Sequence, residues 1–253
     1  MTTDSGAIRV EPSRKRIRVL LAGEPVADTT HALLVWEHPH YPVYYIPAAD
    51  VRGELIPADQ PASTTDSRSG FGPAEVYDVK VATATAEGAA RRYPDSSADE
   101  IRDCVRFEWH AMDEWLEEDE PVYVHARSPY TRIDILASSR HVRVEVDGVT
   151  VADSRNPRIL FETGLPPRYY LPLTDVRTDL LRPSDRHTSC PYKGTASYWS
   201  VDAGSGLHKD LLWIYRTPLP ESQKIAGLAC FYDERADVFI DGQQQSRPHT
   251  HFS

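Results

Sequence analysis

The segment 187–194, HTSCPYKG, gathers side chains that can do chemistry within one short stretch. Cys190 supplies a thiol, and Lys193 an ammonium that favours a neighbouring thiolate. His187 adds a ring that changes charge near neutral pH, Thr188 adds a hydroxyl, and Gly194 lets the backbone approach a ligand. A lone cysteine also reads as a small buried hydrophobe, so spacing leaves both roles open. Glu162, in FETG, is a carboxylate beside apolar neighbours, a setting in which carboxyl groups serve as acid or base. The alternative is a side chain that accepts backbone N–H groups of the following turn. Tyr169-Tyr170 and Tyr44-Tyr45 sit on alternating strand positions, so one ring of each pair points to the core and the other to a surface or pocket, while Tyr198 and Trp199 both read as pocket walls. Aromatic walls with a few convergent polar groups are what ligand pockets present. His187, Cys190, His249 and His251 would suit zinc if the C-terminal strand folds back. Their spacing matches no standard pair-of-pairs pattern, and no metal or cofactor is expected.

The elements that must position these groups come in two copies. Written without gaps, residues 17–57 lie over residues 142–182 with fifteen of forty-one positions identical. The matches fall in blocks, among them Val-Ala-Asp, Tyr-Tyr and Asp-Val-Arg. A three-residue shift then lays GPAEVYDV, 72–79, over GTASYWSV, 194–201, and SPYTR at 128–132 echoes RPHTH at 247–251. A period this long marks two homologous domains rather than a solenoid. The expected boundaries are a mobile tail over 1–14, a first domain over 15–138 and a second over 139–253. The alignment predicts Tyr44 in the place of Tyr169 and Glu37 in that of Glu162. Arg68 and Phe71 stand where the second copy has Cys190 and Lys193, so a single active site belongs to the second domain.

The 253 residues are 40% hydrophobic and 26% charged, which excludes collagen, coiled coil and wholesale disorder. A net charge of −10, from 28 basic against 38 acidic residues, makes nucleic acid and anionic membrane poor partners. No apolar run reaches the ~20 residues that span a bilayer, and the N-terminus has no signal-peptide core, so the cytosol is the expected compartment. Cys104, Cys190 and Cys230 form no CxxC, which argues against a disulfide framework. Val142, Val144 and Val146 alternate with charged residues before Asp147-Gly148, a hairpin with a type I′ turn. Short strands follow at 159–161, 169–171, 198–201, 211–215, 227–232 and 237–240. Brief helical turns are expected at 98–104, 175–181 and 222–226. Residues 57–75 and the HTSCPYKG segment read as loops, and EWLEEDE, 114–120, as a solvated strand edge. The class is mainly β: two homologous small β-rich domains in tandem, with short helices, packed on each other with pseudo-twofold symmetry.

VDGxxVADS, FETGLPPRYYLP, DVRxDLL, CPYKGxASYW and a terminal RPHTHFS together resemble the family known as domain of unknown function 427. The resemblance covers nearly all of 140–253 and, more weakly, 17–135. It implies a compact β-rich fold of the β-tent kind and a tandem arrangement, but no defined reaction. The family is sometimes labelled nucleotidyltransferase-like. Nucleotidyl transfer of the usual kind needs an Asp-x-Asp pair for magnesium, and the sequence has none, nor GxxxxGK[ST] or GxGxxG. Two functional expectations remain. One is a small-molecule site, with Cys190, Lys193 and Glu162 as its chemistry and Tyr169, Tyr170, Thr188, Tyr198, Trp199 and His187 as its walls. The other is a non-catalytic binding or scaffold module whose shared residues serve folding.

Overall fold

The computed structural model describes residues 8–58 and 71–250 and divides the chain between Ser128 and Pro129. The first unit holds β1 (Arg9–Pro12), β2 (Ile17–Leu21), β3 (Glu24–Thr29), β4 (Leu33–Trp36), β5 (Val43–Pro47), β6 (Glu54–Pro57), β7 (Glu75–Lys80), β8 (Thr85–Arg92), β9 (Cys104–Phe107), β10 (Glu114–Glu117) and β11 (Glu120–Pro121). The second holds β12 (Ile133–Ala137), β13 (Val142–Val146), β14 (Val149–Ser154), β15 (Arg158–Glu162), β16 (Arg168–Leu171), β17 (Leu181–Cys190), β18 (Gly194–Ala203), β19 (Gly206–Tyr215), β20 (Ala229–Phe231), β21 (Asp237–Ile240) and β22 (Gln243–Gln244).

Each unit pairs a seven-stranded antiparallel sheet with a four-stranded one. The order β1-β4-β5-β9-β8-β7-β6 recurs as β12-β15-β16-β20-β19-β18-β17, and β11-β10-β2-β3 recurs as β22-β21-β13-β14. Tyr44 and Tyr169 are therefore each the second residue of matching strands, and Glu37 directly follows β4 where Glu162 ends β15. Short valine- and isoleucine-rich runs between Gly, Pro and Asp turns give this class, because they bury alternate side chains but are too short for helices. The hairpin β13–β14 turns on Asp147 and Gly148 with φ of 49° and 78°, the type I′ geometry, and β2–β3 turns on Ala22 and Gly23 with 52° and 77°. The expected helices are short 3-10 segments at Asp99–Ile101, Thr178–Leu180 and Pro220–Ile225, and a further one lies at Leu173–Asp175.

In the first unit, Ile17, Val19, Tyr44, Ile46, Phe107 and Trp115 share a core between the two sheets. Tyr45 points the other way, into a second cluster with Val35, Phe71, Ala74, Tyr93 and Cys104. Both tyrosines of the pair are thus buried, each on its own face of the large sheet.

Four placements differ from the sequence reading, and the first is 114–120, where β10 is no solvated edge but runs between β2 and β11 with Trp115 and Glu117 buried. Arg9–Pro12 is not part of a tail but an edge strand paired with β4. Ile133–Ala137 belongs to the second unit, where it pairs with β15. Edge strands are held largely by backbone bonds, so RVEP and IDILA share no identity and the repeat hides them. The residues His187–Cys190 extend strand β17 instead of forming a loop, and only Pro191–Lys193 turn before β18. The irregular pairing between Pro183 and His187 absorbs the proline, which cannot donate to a ladder. Most of the 57–75 loop, with Arg68, lies outside the described residues.

Candidate functional site

The second unit's large sheet builds a site on the face turned away from its small sheet. Register sets Arg158, Tyr170, Cys230, Trp213 and Tyr198 side by side across five strands. Alternation adds Glu162 and Arg168 toward one end of that row, and Tyr215, Thr188 and Cys190 toward the other. Glu162 and the β17–β18 turn are therefore diagonal corners. They meet because a twisted sheet of this width coils on itself.

At that meeting point Lys193 Nζ is ion-paired with Glu162 Oε2, the two side chains being only 12% and 9% exposed. Cys190 pairs with Gly194 across the turn that carries Lys193, which brings the thiol near the same ammonium. Burial works against the Lys193 charge, but Cys190 and Glu162 outweigh it and hold its pKa above the ordinary lysine value. Below them lie Tyr170 and Tyr215, whose phenols burial pushes well above their usual range. Tyr170 Oη accepts the Trp213 Nε1–H at 3.2 Å. Thr188 Oγ1 and Tyr198 Oη lie 2.7 Å apart, and Tyr198 Oη reaches Tyr232 Oη at 3.3 Å. Burial also raises Cys230 well above the usual thiol range and Cys104 to about 11, whereas Cys190 is part-exposed.

Of the expected residues, Glu162, Lys193, Cys190, Tyr170, Thr188 and Tyr198 share this face. His187 does not: it points to the opposite face, exposed, where its Nδ1–H donates to the Asp185 carbonyl at 3.0 Å. The same alternation parts His187 from Cys190 as zinc ligands. Among the described residues no group of three His, Cys, Asp or Glu could hold a metal, and His251 lies outside them. Tyr169 and Trp199 lie on the face opposite Tyr170 and Tyr198. Trp199 lines a separate cleft with Leu173, Pro183, Ile214 and Arg216, whose guanidinium sits 5.6 Å from its ring.

The first unit shows what the same face becomes without this chemistry. Phe71 takes the place of Lys193 and packs on Tyr93 and Tyr45 at ring separations of 5.4 and 6.4 Å. Glu37 instead accepts the Tyr45 hydroxyl at 2.9 Å and Arg106 Nε at 3.0 Å. Arg106 stands where the second unit has Cys230, since Tyr45 pairs with Arg106 as Tyr170 pairs with Cys230. Sequence reasoning missed Tyr215, Arg158 and Arg168. The signal was present in the repeat, where Leu33 and Val43 stand opposite Arg158 and Arg168.

The family described as Domain of unknown function (DUF427) matches residues 9–118 and again 134–242. The chain belongs to this family. It is a tandem DUF427 protein, and the two matched segments begin at the edge strands β1 and β12 that the repeat alone does not reveal. No curated protein matches the chain. Among the described residues of this DUF427 protein, no helix is long and apolar enough to cross a membrane.

Proposed function

We propose that the second DUF427 domain binds a small electrophilic molecule, with Cys190 as the reactive group, Lys193 as its counter-charge and Glu162 as the residue that positions Lys193. The observation that carries this reading is that a buried ammonium, paired with the Glu162 carboxylate, sits in the turn between Cys190 and its partner Gly194, at a place the first domain fills with Phe71. A nucleophile, a charged neighbour and a third group that orients the neighbour form the usual logic of an activated side chain. Glu162 is matched to Lys193 and acts through it.

Iodoacetamide labelling tests the reading. Sulfur displaces iodide from the reagent carbon, and peptide mass spectrometry follows each cysteine between about pH 6 and 9. Cys190 is expected to label faster than free cysteine, while Cys104 and Cys230 stay protected until the chain unfolds. The double variant Lys193→Met, Glu162→Gln strands no charge and should slow Cys190 about fivefold to tenfold at neutral pH. Equal rates for Cys190 in the two proteins would defeat the proposal. One observation favours a structural reading instead: the first domain keeps a carboxylate and a cation in contact, Glu37 and Arg106, with its buried surroundings. On that reading the pair only ties sheet corners together, and Cys190 labels no faster than free cysteine.

A further inference from the structure

Apart from the Glu162 cluster, the second domain has a cleft of about 430 Å³ that includes Ser138, Ser139, Arg155, Asn156 and Arg158, with Ala137, Pro172 and Leu228 as its apolar part. No carboxylate lines it. Arg155 is exposed and Arg158 half-buried. Every other arginine of this domain has a carboxylate, a carbonyl or an aromatic ring beside it. Arg155 and Arg158 make no ion pair, side-chain hydrogen bond or cation–ring contact among the described residues. That is unexpected in a chain with 38 acidic residues against 28 basic ones, where a carboxylate partner would be easy to supply.

The frame of the cleft is fixed by bonds that leave its donors free. Ser154 donates to Asp175 Oδ2 at 2.6 Å and accepts the backbone N–H of Asn156 at 3.1 Å, which holds the turn bearing Arg155. Ser138 N–H donates to the Pro157 carbonyl at 3.0 Å, and Ser138 Oγ accepts the Arg140 N–H at 3.2 Å, so its hydroxyl proton remains available. The neighbouring carboxylates are engaged, Asp153 by His141 at 2.7 Å and Asp175 by Ser154. Two guanidiniums, an amide and hydroxyls around an acid-free hollow match the geometry of an oxyanion, which arginine binds through paired N–H groups. In the first domain the repeat puts Thr30 and Leu33 in place of Arg155 and Arg158, and Leu33 packs against an apolar cluster.

We propose that this cleft binds an oxyanion, a phosphate monoester or a carboxylate, carried on a small apolar body that rests on Pro172 and Leu228. Calorimetric titration at low ionic strength with phenyl phosphate, benzoate and inorganic phosphate tests it. Phenyl phosphate or benzoate should bind once per chain and about tenfold tighter than inorganic phosphate, and whichever binds identifies the headgroup. Arg155→Gln and Arg158→Gln should each weaken binding about tenfold with an unchanged melting temperature, because neither removes a bond of the fold. The Lys193→Met, Glu162→Gln variant should bind as the wild type does, which separates this site from the thiol site. Failure of both organic probes at millimolar concentration, or undiminished binding in the Arg155→Gln, Arg158→Gln double variant, would overturn the proposal.

Discussion

Replacing Tyr170 by alanine is expected to destabilise the second domain by about 3–5 kcal/mol, the range for removing a large buried aromatic. The ring is 1% exposed and meets Trp213 edge-on at 6.3 Å. Truncation removes that burial, leaves a cavity under the Glu162–Lys193 pair and strands the Trp213 N–H that Tyr170 Oη accepts. Tyr170→Phe keeps the ring and loses only the bond, so it should cost about 1 kcal/mol. A chain of two domains need not unfold in one step, which makes hydrogen exchange at the amides of β16 and β20 the suitable readout. Protection there should fall by about two to four powers of ten in Tyr170→Ala, in keeping with that free energy. A fall of less than about tenfold would show that the ring is a replaceable wall rather than part of the core.

Lys193→Phe copies the first domain's residue into the second and is expected to cost about 3–5 kcal/mol, because it leaves Glu162 buried without its cation. The first domain tolerates Phe71 because Arg106 supplies the charge from β9. Adding Cys230→Arg to Lys193→Phe should therefore recover a large part of the loss, although Cys230→Arg alone crowds a buried site already holding Lys193. Non-additivity of that size is what a shared partner produces. The pH dependence has a definite sign. Since Lys193 titrates above its ordinary 10.5 when folded, its share of the stability is complete below about pH 10.5 and is lost as pH rises through the folded value. Wild type and the Lys193→Met, Glu162→Gln variant should thus keep a constant difference in urea midpoint between about pH 7 and 10, and converge only as the pH rises beyond about 10.5. An unchanged difference in stronger alkali would contradict the assignment of the ammonium.

Much of this was legible in the sequence because the chain states its fold twice. The repeat, the Asp147-Gly148 turn and the alternation of Val142, Val144 and Val146 lead to the paired sheets. Comparing Lys193 with Phe71 already singled out the place where the copies part. What stayed hidden has physical causes. β1 and β12 are edge strands held by backbone bonds, which place little demand on side-chain identity. The HTSCPYKG segment reads as a loop, yet an irregularity in the pairing after Pro183 lets a strand run into it, and only then does alternation separate His187 from Cys190. Adjacent letters such as Tyr198 and Trp199 look like one aromatic wall, but a pleated strand sends them to opposite faces. The meeting of Glu162 with Lys193 depends on sheet coiling, which no local pattern records.

The central claim is that the second domain binds before it reacts, and saturation kinetics of covalent labelling measure that most directly. A panel of chloroacetamide fragments is incubated with the protein at increasing concentration, and intact mass gives the rate of adduct formation. The account predicts that some fragments form one adduct per chain, at Cys190, with a rate that saturates with concentration and loses its saturation in the Lys193→Met, Glu162→Gln variant. Rates that rise linearly for every fragment, at the pace of free cysteine and alike in both proteins, would contradict it.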